Sequence, residues 1–232
     1  MDRIRLWDLA GAEEDRRFSP YCWRVKMALR HKGLAAEEIP WRFTETDVLA
    51  FSGQKLVPVI EDRGRVVHDS WSIALYLDEA YPAKPLMESE GAKAFAYFLK
   101  HWSVASLHLH VSKTVLLDLY AAVHEKDKAY FRESREKRFG MPLEKFADAK
   151  AGVAALRGAL DPIRPVFVQH AFLSGRAPCF ADYILFGPFQ WARAVSPVRL
   201  LEPDDPVYAW RERMLDLFEG YGRSAKGYPV WV

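Results

Sequence analysis

Strand signals stop roughly a third of the way along this chain, and that break limits the folds open to it. Ile4 to Leu9 is predicted as a strand, and Tyr21 to His31 as a helix closed by Gly33. Glu37 to Phe43, Leu56 to Glu61 and Arg65 to His68 read as three further strands, with Arg63-Gly64 turning between the last two. Ser70 to Ala80 is a helix stopped by Pro82. Strand, helix and strand followed by a hairpin and a helix make an α/β unit with a mixed sheet.

Beyond the linker-like Pro82-Ala83-Lys84-Pro85-Leu86 only helical patterns remain. Ala92 to Glu125 is one long stretch, and Lys126 to Ser134 either continues it or begins the next helix. Leu143 to Leu160, Phe180 to Arg193 and Val207 to Glu219 follow, so the second half is an all-α bundle. The expected domains are residues 1–83 and 92–232. Gly220 to Val232 reads as an irregular tail over the surface.

The chain has 232 residues, half of them hydrophobic and 28% charged, enough for a packed core. A net charge of +2 with interspersed signs gives no basic stripe for nucleic acid. No apolar run approaches the ~20 residues of a membrane span. Met1-Asp2-Arg3 leads directly into the first strand without an apolar signal segment. Cys22 and Cys179 are too few for a disulfide framework, which fits a reducing, cytoplasmic setting.

Three short motifs carry chemistry. Ser19-Pro20 starts a helix: serine caps a free N–H, and proline brings a preset φ where its missing N–H costs nothing. That helix tip favours negative charge, so Ser19 is either a plain cap or a hydroxyl aimed at an anion such as a thiolate. In Leu56-Val57-Pro58-Val59-Ile60 the proline conflicts with a central strand. Pro58 either marks an edge strand or opens the strand from a cis turn, leaving the Val57 backbone free for an extended peptide. In His68-Asp69-Ser70-Trp71, Ser70 occupies an N-cap position. The pair is either a capped helix with an exposed acid, or a carboxylate site at Ser70 beside an ammonium site at Asp69.

In this order and spacing the three motifs resemble the glutathione transferases, and the likeness runs over essentially the whole chain. The residues that carry it are Ser19-Pro20-Tyr21-Cys22-Trp23-Arg24, Val57-Pro58-Val59-Ile60, Asp69-Ser70-Trp71 with Ala74-Leu75-Tyr76-Leu77-Asp78, Ser134-Arg135-Glu136-Lys137-Arg138-Phe139 and Phe180-Ala181-Asp182-Tyr183. Within that superfamily the chain most resembles the bacterial lignin β-aryl-etherases and related fungal etherase-like transferases.

The resemblance implies a thioredoxin-like amino-terminal domain, an all-helical carboxyl-terminal domain, and glutathione as cosubstrate. Ser19 then donates a hydrogen bond to the glutathione sulfur. Val57, before a cis Pro58, pairs with the cysteinyl unit, Asp69 and Ser70 take the γ-glutamyl ammonium and carboxylate, and Gln54 or Lys55 reaches the glycyl end. The implied reaction is thiolate attack on a hydrophobic, aromatic electrophile, by conjugation or ether cleavage, and the implied assembly is a homodimer.

Two other classes fit the same fold: a non-catalytic protein that binds glutathione or a hydrophobic ligand, and a thiol–disulfide enzyme using Cys22. Cys22 lies one helical turn inside the tip, which favours inert packing. Cys179 falls where a helix N-cap belongs, three residues before Asp182. No metal site is expected: His108 and His110, two apart on a helix, point to nearly opposite sides. Trp102, His108, Tyr120 and Trp191 are expected either to line an acceptor pocket between the domains or to pack in the core.

Overall fold

The computed structural model describes residues 3–229. A four-stranded mixed sheet in the order β2-β1-β3-β4 organises the first half. β1 (Ile4–Leu9) is central, parallel to β2 (Ala36–Trp41) and antiparallel to β3 (Val59–Asp62), which pairs antiparallel with β4 (Arg65–His68). Ile4, Leu6, Trp7 and Leu9 are buried, as a central strand covered by α1 (Pro20–Lys32) and α2 (Ser70–Ala80) requires. Gly33 closes α1 at φ 72°, the left-handed conformation glycine adopts without a Cβ penalty.

Two strands are shorter than the sequence predicts. β2 ends at Trp41 because the next N–H groups leave the sheet. Arg42 N–H donates to Glu45 Oε2 (2.8 Å), and the Phe43 and Thr44 N–H groups donate to the Asp127 carboxylate (3.2 and 3.1 Å). Asp127 is buried, so these bonds tie the sheet's edge to the helical half. β3 begins at Val59, not Leu56. Pro58 has no N–H for the ladder, the Val57–Pro58 bond is cis, and Leu56 is 66% exposed. A 3₁₀ turn at Thr46–Ser52, without a readable period, fills the approach to it.

The helical half begins with α3 (Glu90–Trp102), continues through a π-helical segment, Ser103–His108, and ends its first long run as α4 (Leu109–Ala122). The chain turns extended at Val123, so α5 (Lys128–Phe139) is a new helix. The stretch predicted as one helix from Leu143 divides into α6 (Leu143–Phe146) and α7 (Ala149–Ala159). Ala147 is extended, and the Asp148 carboxylate caps α7 by accepting from Ala151 N–H (2.9 Å). The short α8 (Arg164–Gln169) has no counterpart in the sequence reading.

α9 (Phe180–Val195) is the buried axle of the molecule. Its start is held by Asp182, which accepts from Cys179 N–H (3.0 Å), Leu173 N–H (3.0 Å) and the Trp210 indole (2.9 Å). Cys179 contributes by donating its thiol to the same carboxylate (3.4 Å). α9 also lies against the start of α1: a Cβ at Gly187 would stand 2.4 Å from the Pro20 carbonyl oxygen.

α10 (Pro206–Ser224) is regular to Asp216, then turns through left-handed Phe218, Glu219 and Gly220. The expected irregular tail instead starts with a docked turn. Tyr221 donates its hydroxyl to Glu38, and its ring lies tilted beside that of Trp23 (5.8 Å). Val230 to Val232 of that expected tail lie outside the described residues.

Candidate active site

Ser19 sits at the junction that the packing of α9 on α1 fixes. The preceding loop is pinned from the other side, where the Trp23 indole donates to Arg17 O (2.9 Å). Ser19 has extended backbone dihedrals, is 4% exposed, and accepts the Cys22 N–H at 3.2 Å, as an N-cap does. That bond uses an oxygen lone pair. Apart from the neighbouring Cys22 sulfur, a weak acceptor, no acceptor among the described residues takes the Ser19 O–H.

Ser19 opens on a cavity of about 200 Å³ between the two halves. Tyr21 and Val57 line it from the sheet side, and His108, Arg135 and Trp191 from the helical side. Val57 brings an uncommitted backbone: no backbone hydrogen bond among the described residues uses its N–H or C=O. Of the four residues expected to form an acceptor pocket, His108 and Trp191 line this cavity. Tyr120 packs instead against Phe131 (6.0 Å) and under Arg132 (4.8 Å), and Trp102 packs half-buried against the core.

The other predicted residues, Gln54, Lys55, Pro58, Asp69 and Ser70, do not line the cavity. Asp69, not Ser70, is the N-cap of α2, a correction to the sequence reading. Its Oδ2 accepts from the Trp71 and Ser72 N–H groups, both at 3.1 Å, and no hydrogen bond among the described residues falls on Oδ1. Asp69 also stands at φ 66°, a left-handed conformation uncommon outside glycine. Such a conformation is characteristic of functional sites. Ser70 is the first helical residue and is buried. Gln54 contacts His68 (3.3 Å), and Lys55 is exposed beside it.

Cys22 is fully buried, and burial together with the nearby Asp8 carboxylate raises its thiol well above the ordinary range. A thiol so held stays protonated and out of reach, which counts against disulfide chemistry at this position.

The arginines around the cavity have no role in the sequence reading. Arg24, 1% exposed, stacks on Tyr21 (4.7 Å) and places Nη2 3.4 Å from His108 Nε2. A guanidinium only donates, so Nε2 carries the lone pair and the His108 proton is assigned to Nδ1. Burial first, then the positive charges of Arg24 and Arg138, push His108 down to about 3. The one signal of this cluster in the sequence is the three-residue spacing of Tyr21 and Arg24 on a helix, which stacks them.

Comparison with known proteins identifies the family of both halves. Residues 15–85 match the family model of the glutathione S-transferase N-terminal domain, and residues 94–205 that of the C-terminal domain. A glutathione S-transferase-like protein of Aspergillus flavus is 29% identical over 169 residues, 67% of this chain. The match spans 57% of that relative's length. A glutathione transferase from Phanerochaete chrysosporium superposes with a TM-score of 0.77 at 24% identity, covering 95% of this chain and 93% of its own. A glutathione S-transferase of Ceriporiopsis subvermispora, solved in complex with glutathione, gives 0.81 at 22% identity, covering 95% and 98%. At such identities the two structures establish a shared fold.

Proposed function

This chain belongs to the glutathione transferase superfamily, and we propose that it binds glutathione along its thioredoxin-like half and uses Ser19 to hold the sulfur as a thiolate. The observation that carries this reading is the division of labour at Ser19. Its oxygen accepts from Cys22 N–H at the cavity wall, and among the described residues only the weakly accepting Cys22 sulfur competes for its O–H. A free thiol titrates near ~8.5, so a hydroxyl donor at the positive end of α1 lowers that value toward neutrality. Ser19 is then a donor to the anion and never a base.

The remaining contacts follow the tripeptide. The free Val57 N–H and C=O suit the cysteinyl backbone, Oδ1 of Asp69 suits the γ-glutamyl ammonium, and Ser70 at the tip of α2 suits its carboxylate. Gln54 and Lys55 are assigned to the glycyl end. The thiolate attacks an electrophilic carbon of an aromatic acceptor held in the cavity: a C–S bond forms, and the bond to the halide or aryloxide breaks. Aryloxide departure is the β-aryl ether cleavage that the Ser19–Arg24 and Ser134–Phe139 segments suggest. A homodimer is part of the same proposal, and exposed Phe95 and Phe98 on α3 are in keeping with one.

The test is the ultraviolet absorbance of the bound thiolate against pH, wild type beside Ser19→Ala. The bound thiol's pKa is expected to rise toward ~8.5 in the variant, with conjugation of aryl halides falling in step. An unmoved pKa leaves Ser19 a helix cap only. Tight glutathione binding without turnover of aryl halides or β-aryl ethers makes the protein a binder.

A further inference from the structure

The cavity beside Ser19 is lined by positive charge and, among the described residues, by no acid. Arg135 and Arg138, three residues apart on α5, both line it, and no Asp or Glu does. None of the ion pairs among the described residues uses Arg135, Arg138 or Arg24. By contrast Arg132, on the same helix, is committed to Glu136 (3.0 Å) and Glu144 (2.7 Å). Within α5, the arginines that line the cavity are the two without an acid among the described ion pairs.

Their placement is that of a prepared site. The Arg135 guanidinium lies over Phe131 (4.6 Å) and Phe43 (5.2 Å) and spends one donor, Nη1, on Ser134 Oγ (2.9 Å). The stack fixes the plane, and the remaining donors keep the fork that matches an oxyanion. Arg138 is exposed at the rim, beside Phe139. Behind the opposite wall, Arg24 is buried with Nε and Nη1 unpaired, and the groups that cover it, Tyr21 and His108, are cavity lining. Asp69 attracts this charge without an ion pair or hydrogen bond to it among the described residues. A buried charge so thinly compensated is costly, and an anion in the cavity offsets that cost.

We propose that the acceptor of this enzyme is an anionic aromatic compound, its ring on the apolar wall and its carboxylate or equivalent oxyanion on Arg135 and Arg138. The inference rests on the transferase reading for what reacts, though not for whether the anion binds. The volume suits one substituted ring, since an apolar cavity of ~150 Å³ holds benzene. The carboxylates of glutathione itself are assigned to Ser70 and to Gln54 or Lys55, none of which lines the cavity.

Binding of 3,5-dinitrobenzoate and of neutral 1,3-dinitrobenzene is measured by calorimetry on the full chain, with and without saturating glutathione. Wild type is compared with Arg135→Gln, Arg138→Gln and the double variant. Wild type is expected to prefer the benzoate at least tenfold, each single variant to lose severalfold, and the double variant to bind both rings alike. Arg138→Glu, at an exposed position that tolerates substitution, is expected to reverse the preference.

Equal affinity for the two rings in wild type, or a preference that survives the double variant, overturns the inference. So does a benzoate that competes with glutathione, or a double variant that shifts the bound thiol's pKa while keeping the preference. If glutathione fails to bind but the benzoate preference follows the arginines, the anion site stands and the transferase reading falls.

Discussion

Replacing His108 by glutamine should remove a large part of the protein's sensitivity to acid. His108 is 6% exposed at the end of the π-helical segment, faced by the Tyr21 ring (5.3 Å), the Trp191 ring (6.0 Å) and the Arg24 guanidinium (3.4 Å). Burial and two nearby arginines hold it at about 3, against an ordinary value of 6.5. Between those values the unfolded chain takes up a proton that the folded protein refuses. The stabilisation is therefore complete above pH 6.5 and is lost progressively as the pH falls toward 3. At pH 5 the loss is about 2 kcal/mol, at ~1.36 kcal/mol for each pH unit below the unfolded value. For a chain of this size that corresponds to roughly 4–8 °C in melting temperature. The glutamine side chain of His108→Gln can still offer an amide oxygen to Arg24 and does not titrate. Melting temperatures measured from pH 7 to pH 5 should fall by that margin more in wild type than in the variant. Parallel curves would refute the argument, since they would mean that His108 takes up its proton as readily in the folded protein as in the unfolded chain.

Two further changes probe the frame around the site. Gly187→Ala puts a Cβ 2.4 Å from the Pro20 carbonyl oxygen and 3.1 Å from its carbon, both backbone atoms, so the start of α1 must move. Overpacking of this kind costs about 1–3 kcal/mol, and the displaced Ser19 should weaken glutathione binding as well; a melt and a glutathione titration read both. Cys179→Ser should leave stability unchanged or raise it by up to ~1 kcal/mol, because a hydroxyl caps the Phe180 helix start better than a thiol; a clear drop in melting temperature would contradict this.

The elements legible in the sequence are those bounded by local chemistry. β1, β4 and α2 have the limits read from the chain, because alternation, a Gly turn and a stopping proline are written within a few residues. The misplaced strand ends have distant causes. β2 stops where Asp127, eighty-four residues after Phe43, takes up the backbone N–H groups. The cap of α2 reads one residue late because serine and aspartate both cap well, and only the backbone at Asp69 separates them. The same limit hides the arginines. An arginine without an acid partner looks, in a sequence, like any solvated surface charge. That Arg24 is buried and that Arg135 faces a cavity depends on helices far apart in the chain.

Cap and chemical group stand as competing roles for Ser19 in the sequence; the fold shows the cap, and the proposal adds the chemical group. A hydroxyl has lone pairs and one proton, and here the two point to different tasks. The lone pair satisfies Cys22 N–H, and in the proposal the proton is left for the glutathione sulfur. Alanine would lose both at once, so a stability change alone cannot report on the chemistry. The pKa of the bound thiol can, because a helix cap by itself has no means of shifting it by donation. The surrounding arginines strengthen the demand on that measurement, since they too favour an anion near the sulfur. An effect specific to Ser19 must therefore persist when Arg135 and Arg138 are neutralised.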